Sequence, residues 1–495
     1  MNITSLGFLC FLALAIGLYY LFAEKAKPWV LLGLSFLFAA SYDMRAVLFL
    51  AATAWFLWVS ALAIQKISDS QQESSKQKKK RLLVLTLAGI AGVLVVLKYL
   101  APLTLRAASP ALALRIFVPI GLSSYTLMAI SYLVDVYWGR VRAEGRYSRV
   151  LLYLTYFPQL LQGPISRFGQ LAPEFDKPHP FRVRNIKHGI QLILWGYFKL
   201  SVVGGKTHTI VTEAFHSGAT AYGLAAFLGL VFFGFELYGN FSGGIDVIRG
   251  VSQCLGIELP ENFRQPFFSR SLGEFWRRWH ITLGTWMKDY VFFPLSMSKP
   301  FSRLKKNLRK RVSKKMATRI PIALANILVF LLVGIWHGLG GNYALWGLYN
   351  GLILAFSEIM ADRYLRTKQA LHISPDSKAW NAFSLLRTFL VITLGWATDC
   401  AATASGSFAI VLNMLQVEKT DFGIFHATKL AFLEAAFSIV ILLAVDFCHE
   451  RGISIRKSLD GKNIFIQCLF WIALIQLIAC LGRTATLGGL MYAGF

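Results

Sequence analysis

The chain has 495 residues, of which 56% are AVILMFWYC and only 15% are charged, with 51 Lys+Arg against 25 Asp+Glu for a net charge of +26. A soluble domain carries about 25% charged residues, so charge here is gathered into a few places, and the long uncharged runs between them suit burial in lipid. That excludes an ordinary cytosolic enzyme and a disordered chain, and it leaves an all-α polytopic membrane protein. The basic clusters lie between apolar spans, where cytoplasmic loops meet anionic headgroups, so the expected partner is the lipid bilayer and not nucleic acid.

Apolar runs lie near 4–23, 28–42, 46–65, 82–101 and 112–138. The first lacks a basic n-region, and Ser5 to Phe22 is long enough to span, so it is expected to be retained rather than cleaved. Lys25 and Lys27 follow it, which predicts an extracytoplasmic N-terminus. The loops from Lys66 to Arg81 and around Arg140, Arg142, Arg146 and Arg149 are both basic. Five crossings place both in the cytoplasm. Residues 150–163 are apolar but short and end at Gly163-Pro164, which predicts an interfacial or re-entrant segment.

Spans are expected at 188–204 and 221–240. Residues 241–290 mix aromatics, Gly, Pro, Arg and carboxylates, and no clean span can be drawn there. Polar or irregular backbone at membrane depth requires protein burial or a cavity, so the site is expected in this block. A second cytoplasmic basic loop runs from Lys299 to Arg319. Further spans are expected at 320–337, 342–361, 384–402, 428–447 and 463–481. The expectation is about 11 transmembrane helices plus re-entrant or interfacial helices, in one integral domain of the inner (cytoplasmic) membrane. Within it, 1–138 are N-terminal helices, 139–360 the catalytic core region and 361–495 the C-terminal helices.

The six cysteines show no metal-ligand spacing and read as small hydrophobes. No HExxH, paired CxxC, P-loop or GxSxG is present. No metal site and no permanently bound cofactor are therefore expected. Two of the nine histidines stand apart from loops and span ends. His337 lies in Gly334-Ile335-Trp336-His337-Gly338-Leu339-Gly340-Gly341-Asn342. About 17 residues at ~1.5 Å each carry the chain roughly 25 Å from the basic loop to it, into the outer half of the bilayer. An ionisable group held there is a functional candidate, although a hydrogen-bonded helix-end histidine satisfies composition equally well.

His280 lies in Glu274-Phe275-Trp276-Arg277-Arg278-Trp279-His280, close to Lys288 and Asp289 and near the cytoplasmic interface. An interfacial amphipathic helix accounts for Trp276, Trp279 and the arginines but says less about His280. A neutral imidazole can take a proton from an alcohol as it attacks an acyl carbon. Sparse membrane histidines without a nucleophile motif thus point to direct acyl transfer or to proton-coupled transport. Glu236, Asp246, Asp289 and Asp399 are the notable intramembrane acids. A transporter would use such acids as a relay, and an enzyme could use them to orient a histidine.

Four stretches resemble the membrane-bound O-acyltransferase (MBOAT) family, in particular its bacterial branch of alginate O-acetyltransferases and teichoic acid D-alanyl transfer proteins. They are Phe157 to Phe168, Asn240 to Asp246, Pro260-Glu261-Asn262-Phe263-Arg264-Gln265-Pro266-Phe267 running on to Trp286-Met287-Lys288-Asp289-Tyr290, and Gly334 to Gly351. The closing Leu490 to Phe495 resembles the aromatic end of that branch. The resemblance implies a ring of tilted helices around a central tunnel, with His337 as the catalytic histidine and His280 as the branch's second histidine. It also implies a cytoplasmic acyl donor, acyl-CoA or an acyl-carrier protein, and an extracytoplasmic acceptor or partner acyltransferase. Arg277, Arg278 and Lys288 would attract an anionic donor. Trp276, Trp279 and Trp336 would shape the tunnel, with Asp289 and Asn342 beside it. Asn240 stands where many relatives carry Asp, so a charged role there is lost, whereas Asp246 keeps the later acid. The function expected is transfer of a short acyl group, acetyl first, to a hydroxyl of an envelope polymer or partner protein. D-alanyl transfer to teichoic acid, a polysaccharide-precursor flippase and a silent scaffold for an extracellular partner are the alternatives.

Overall fold

The computed structural model describes residues 3–70, 75–100, 119–160, 162–216, 220–374, 377–425 and 429–482. They fall into two compact units, one of Met1–Tyr197 with Gly243–Glu261 and one of Phe198–Ser242 with Asn262–Ala485. Among the described residues the only strand-like pairing is one antiparallel bridge between Phe263 and Trp279. Among the described residues, eight helices are long and apolar enough to cross a membrane: Met44–Asp69, Ser75–Tyr99, Gly223–Cys254, Lys314–His337, Gly341–Ala370, Lys378–Cys400, Lys429–Glu450 and Ile464–Leu481. Leu6–Leu21 and Ala404–Met414 are apolar but shorter. The expected run at 28–42 forms a 14-residue helix, Lys27–Ala40. The expected span at 112–138 is helical from Leu122 to Trp138; residues 101–118 and the closing 490–495 lie outside the described residues.

In the first unit, Ser5 caps Leu6–Leu21 by accepting from the Phe8 amide at 3.2 Å, and Asp43 caps Met44–Asp69 in the same way. Phe8, Phe11, Phe38 and Phe157 form an aromatic cluster with ring centroids 5.3–6.2 Å apart. Residues 147–160 form two short buried helices, Tyr147–Thr155 and Phe157–Leu160, and the second stops short of Gly163-Pro164. Helix Val183–Tyr197 meets residues 243–254 along a seam of small residues. A Cβ at Gly196 would stand 2.7 Å from the Gly243 carbonyl, and one at Gly189 would stand 2.7 Å from the Gly250 carbonyl. Such a seam lets two backbones touch and replaces side-chain packing with close main-chain contact.

The second unit holds the longest antiparallel pair, Lys314–His337 and Gly341–Ala370. Glycines set its spacing. A Cβ at Gly347 would fall 2.6 Å from the Phe330 carbonyl, and one at Gly351 would fall 2.8 Å from the Ile327 Cα. The Gly-rich stretch in the sequence is therefore a contact surface that carries the end of the first helix against the start of the second.

The span expected at 221–240 runs on to Cys254, and among the described residues no membrane-length helix begins within 241–290, in keeping with the mixed composition of that block. Helix Gly223–Cys254 runs 32 residues without a break. Its polar residues meet protein, and 78% of its most apolar 18-residue stretch is buried. Lys199 Nζ donates to Ser242 Oγ at 2.9 Å, and Tyr238 donates to Asp446 at 2.8 Å.

Candidate active site

His337 is the last residue of Lys314–His337 and is half-buried. Gly338 follows in extended backbone (φ −175°) and turns the chain toward Gly341–Ala370. The imidazole is bounded by rings: Trp336 at 4.9 Å, Trp346 edge-on at 5.5 Å and Tyr343 stacked at 6.5 Å between centroids. Asn342 sits beside the turn, 3% exposed, and its amide donates to the carbonyls of Thr398 and Ala401 at 3.3 and 3.0 Å. It ties the start of Gly341–Ala370 to the end of Lys378–Cys400.

His280 occupies a corner between two seven-residue helices, Leu272–Arg278 and Ile281–Met287. Its backbone is left-handed, with φ +46°, a conformation disfavoured for residues with a Cβ. Asn262 holds that corner. Its carbonyl accepts from the Ile281 amide at 2.9 Å. Its side-chain oxygen accepts from the Thr282 amide at 3.0 Å and the Thr282 hydroxyl at 2.9 Å, and it lies 3.1 Å from His280 Nδ1. The Phe263–Trp279 bridge and a 2.9 Å bond from the Arg264 amide to the Arg278 carbonyl extend the same pairing. The imidazole meets Phe241 edge-on at 4.8 Å. Burial first, and repulsion from His337 when that ring is protonated second, push His280 down to about 3. It is neutral at physiological pH.

The two histidines, Trp276, Trp279, Trp336, Arg277, Arg278, Asn240, Asp289 and Asn342 all belong to the second unit. Trp276 donates to Asn350 Oδ1 at 3.1 Å and packs against Trp346 at 5.3 Å. It thus links the His280 corner to the hairpin that carries His337. Trp279 stacks on Phe275 at 5.4 Å and lies against Trp396. Arg278 is engaged by Glu450 at 2.6 Å and Glu274 at 2.7 Å, whereas Arg277 is exposed. Asn240 is buried with its Oδ1 unpartnered among the described residues, and Asp289 is half-buried in the π-helical turn Lys288–Phe292. Asp246 lies in the first unit, with Arg249 at 3.6 Å.

Sequence reasoning quoted Asn262 without giving it a role, and it overlooked Trp346 and Asn350. The signal for Asn262 was its place in Pro260-Glu261-Asn262-Phe263. Nothing in helical spacing connects it to a histidine 18 residues on.

A multi-pass helical protein that holds two imidazoles in one unit, one neutral in a hydrogen-bonded corner and one ringed by aromatics at a helix end, has the equipment of a membrane acyltransferase. Residues 31–394 match the model of the membrane-bound O-acyltransferase family, MBOAT. The chain belongs to that family and is an acyltransferase. It is 28% identical over 398 residues to a probable alginate O-acetylase of Pseudomonas syringae pv. tomato, covering 78% of this chain and 69% of that one. It is 27% identical over 420 residues to the peptidoglycan O-acetyltransferase of Helicobacter pylori, covering 79% and 73%. It is 27% identical over 239 residues to the teichoic acid D-alanyltransferase of Bacillus subtilis, covering 48% and 58%.

Proposed function

We propose that the protein moves a short acyl group, acetyl foremost, from a cytoplasmic acyl-CoA or acyl-carrier donor to a hydroxyl of an extracytoplasmic envelope polymer or partner protein. The observation that carries this reading is His337, a half-buried imidazole at the end of a membrane-length helix, enclosed by Trp336, Tyr343 and Trp346. Its lone pair accepts the acceptor's hydroxyl proton as the oxygen attacks the thioester carbonyl. The C–O bond forms, the C–S bond breaks, and the departing thiolate takes up the proton from the imidazolium. His280 assists on the donor side by orienting the thioester or passing a proton.

Acetyl is preferred to D-alanyl because the acetylating relatives align over 78–89% of this chain and the D-alanyl relatives over 48–56%. The basic helix Lys299–Leu308, with Arg303 and Lys306 exposed, supports the approach of an anionic donor from the cytoplasm, and with it an extracytoplasmic N-terminus in the inner membrane. The transporter alternative rested on Glu236 and Asp246. Glu236 is partnered by His208 at 2.8 Å, and Asp246 has Arg249 beside it.

The test follows labelled acetyl-CoA in membrane vesicles. Wild type is expected to leave label in an extracytoplasmic ester, and His337→Ala is expected to lose roughly 10²–10⁴-fold in rate while still inserting. Undiminished turnover in the variant would remove His337 from the chemistry. Unmodified glycan crossing the membrane would favour the transporter.

A further inference from the structure

The geometry points to Asn262 as the positioning residue that fixes the tautomer of His280, with the ring hydrogen on Nδ1 and the lone pair on Nε2. The inference rests on the reading of His280 as part of the transfer machinery. The argument starts from a donor whose hydrogen cannot move. The Thr282 backbone amide can only donate, and it points at the Asn262 side-chain atom 3.0 Å away, so that atom is the carbonyl oxygen. Turning the amide over would set an NH₂ against an N–H. A second donor, the Thr282 hydroxyl at 2.9 Å, meets the same oxygen. An amide oxygen only accepts. His280 Nδ1, 3.1 Å from it, must therefore carry the hydrogen. A neutral imidazole has one N–H, so Nε2 holds the lone pair.

The frame around this bond is rigid. Asn262 is fully buried, and its backbone carbonyl takes the Ile281 amide. One residue thus receives hydrogen bonds from Ile281 and Thr282 and from the ring between them and Trp279. That set of bonds also holds His280 in left-handed backbone, so ring direction and tautomer are fixed together. Burial keeps the ring neutral, and Phe241, edge-on to it, brings no charge. The titratable group acting on it from another element is His337. On its own segment, Arg278 is engaged by Glu274 and Glu450, and Arg277 faces outward. His280 consequently serves the reaction as an acceptor through Nε2: it can receive a hydrogen bond or a proton but cannot offer an N–H from that side. This is the second-neighbour logic by which a histidine's far nitrogen is set by what its near nitrogen bonds.

The experiment has two arms. Nitrogen NMR of ¹⁵N-histidine-labelled protein in lipid bilayers, with the His280 signals identified by their loss in His280→Gln, reads the tautomer without reference to activity. A protonated Nδ1 beside an unprotonated Nε2 at neutral pH is expected; the reverse tautomer, or a cation, overturns the inference. The second arm is Asn262→Asp, which keeps an accepting oxygen of nearly the same shape but adds a negative charge. The charge stabilises the imidazolium and raises the His280 pKa, so the ring stays protonated on Nε2 up to a higher pH. The pH at which the His280 nitrogen signals report protonation should move up by one unit or more. An unmoved midpoint would mean that Asn262 does not act on the ring and is only structural. If the tautomer is as assigned but His280→Gln turns over like wild type, the inference about Asn262 stands and the role given to His280 falls.

Discussion

His337 closes a 24-residue helix among three aromatic rings, while His280 sits in a left-handed corner between two short helices, held by one asparagine. In the first case, depth comes from counting residues along a helix that starts in a basic loop, and packing does the rest. In the second, no regular element reaches the residue, and hydrogen bonds set both its backbone and its protonation. The difference teaches that a helix end is good at placing a group along the membrane normal. An irregular corner is good at fixing which atom of that group does the work.

The comparison breaks most sharply at rate. If the helix-end histidine is the base, His337→Ala should cost roughly 10²–10⁴-fold in turnover, and His280→Gln, measured in the same vesicles, should cost less. Equal losses would merge the two roles. Next comes the hairpin that places His337. Gly347→Val puts a methine carbon 2.6 Å from the Phe330 carbonyl, and forcing the backbones apart should destabilise the fold by about 3 kcal/mol. A lowered melting temperature in detergent checks it; an unchanged one would mean that the helices can separate freely.

The corner makes its own prediction about pH. The unfolded imidazole takes up a proton near its ordinary value of about 6.5, but the folded one resists down to about 3. Below the unfolded value the unfolded chain therefore binds more protons, so stability is full above ~6.5 and falls as pH drops, by at most ~1.4 kcal/mol per unit from this residue. His280→Gln should flatten that part of the stability profile; an unaltered slope would place the titrating group elsewhere. The smallest effect separates the neighbouring arginines. Arg278→Ala, which releases Glu274 and Glu450, should cost about 1 kcal/mol. Arg277→Ala should leave stability unchanged and act, if at all, on the apparent KM for an anionic donor.

His337 could be found from sequence because loop charge and helix rise are additive along a chain. Trp336, the glycines from Gly334 to Gly351, and Asn342 came with it, since the turn that brings them together is local. The His280 corner was half legible. Its residues stood out as types, yet Asn262 and His280 meet through an extended crossing that no 3.6-residue period describes. The continuation of the 221–240 span to Cys254 was not legible for a related reason. Polar residues such as Ser242 mark a segment as unfit for lipid, and only the folded structure shows them bonded to partners such as Lys199.

The sequence by itself thus determined that this chain lives in a membrane, which loops are basic and how far His337 lies from them, because hydrophobicity, charge and helical rise act residue by residue. The tertiary structure alone decided that Asn262 reaches His280, that Arg278 is engaged by Glu450, and that polar helix positions are buried. Those outcomes depend on groups distant in the chain satisfying one another's hydrogen bonds and charges, and a burial cost of that kind is set only once the chain has folded.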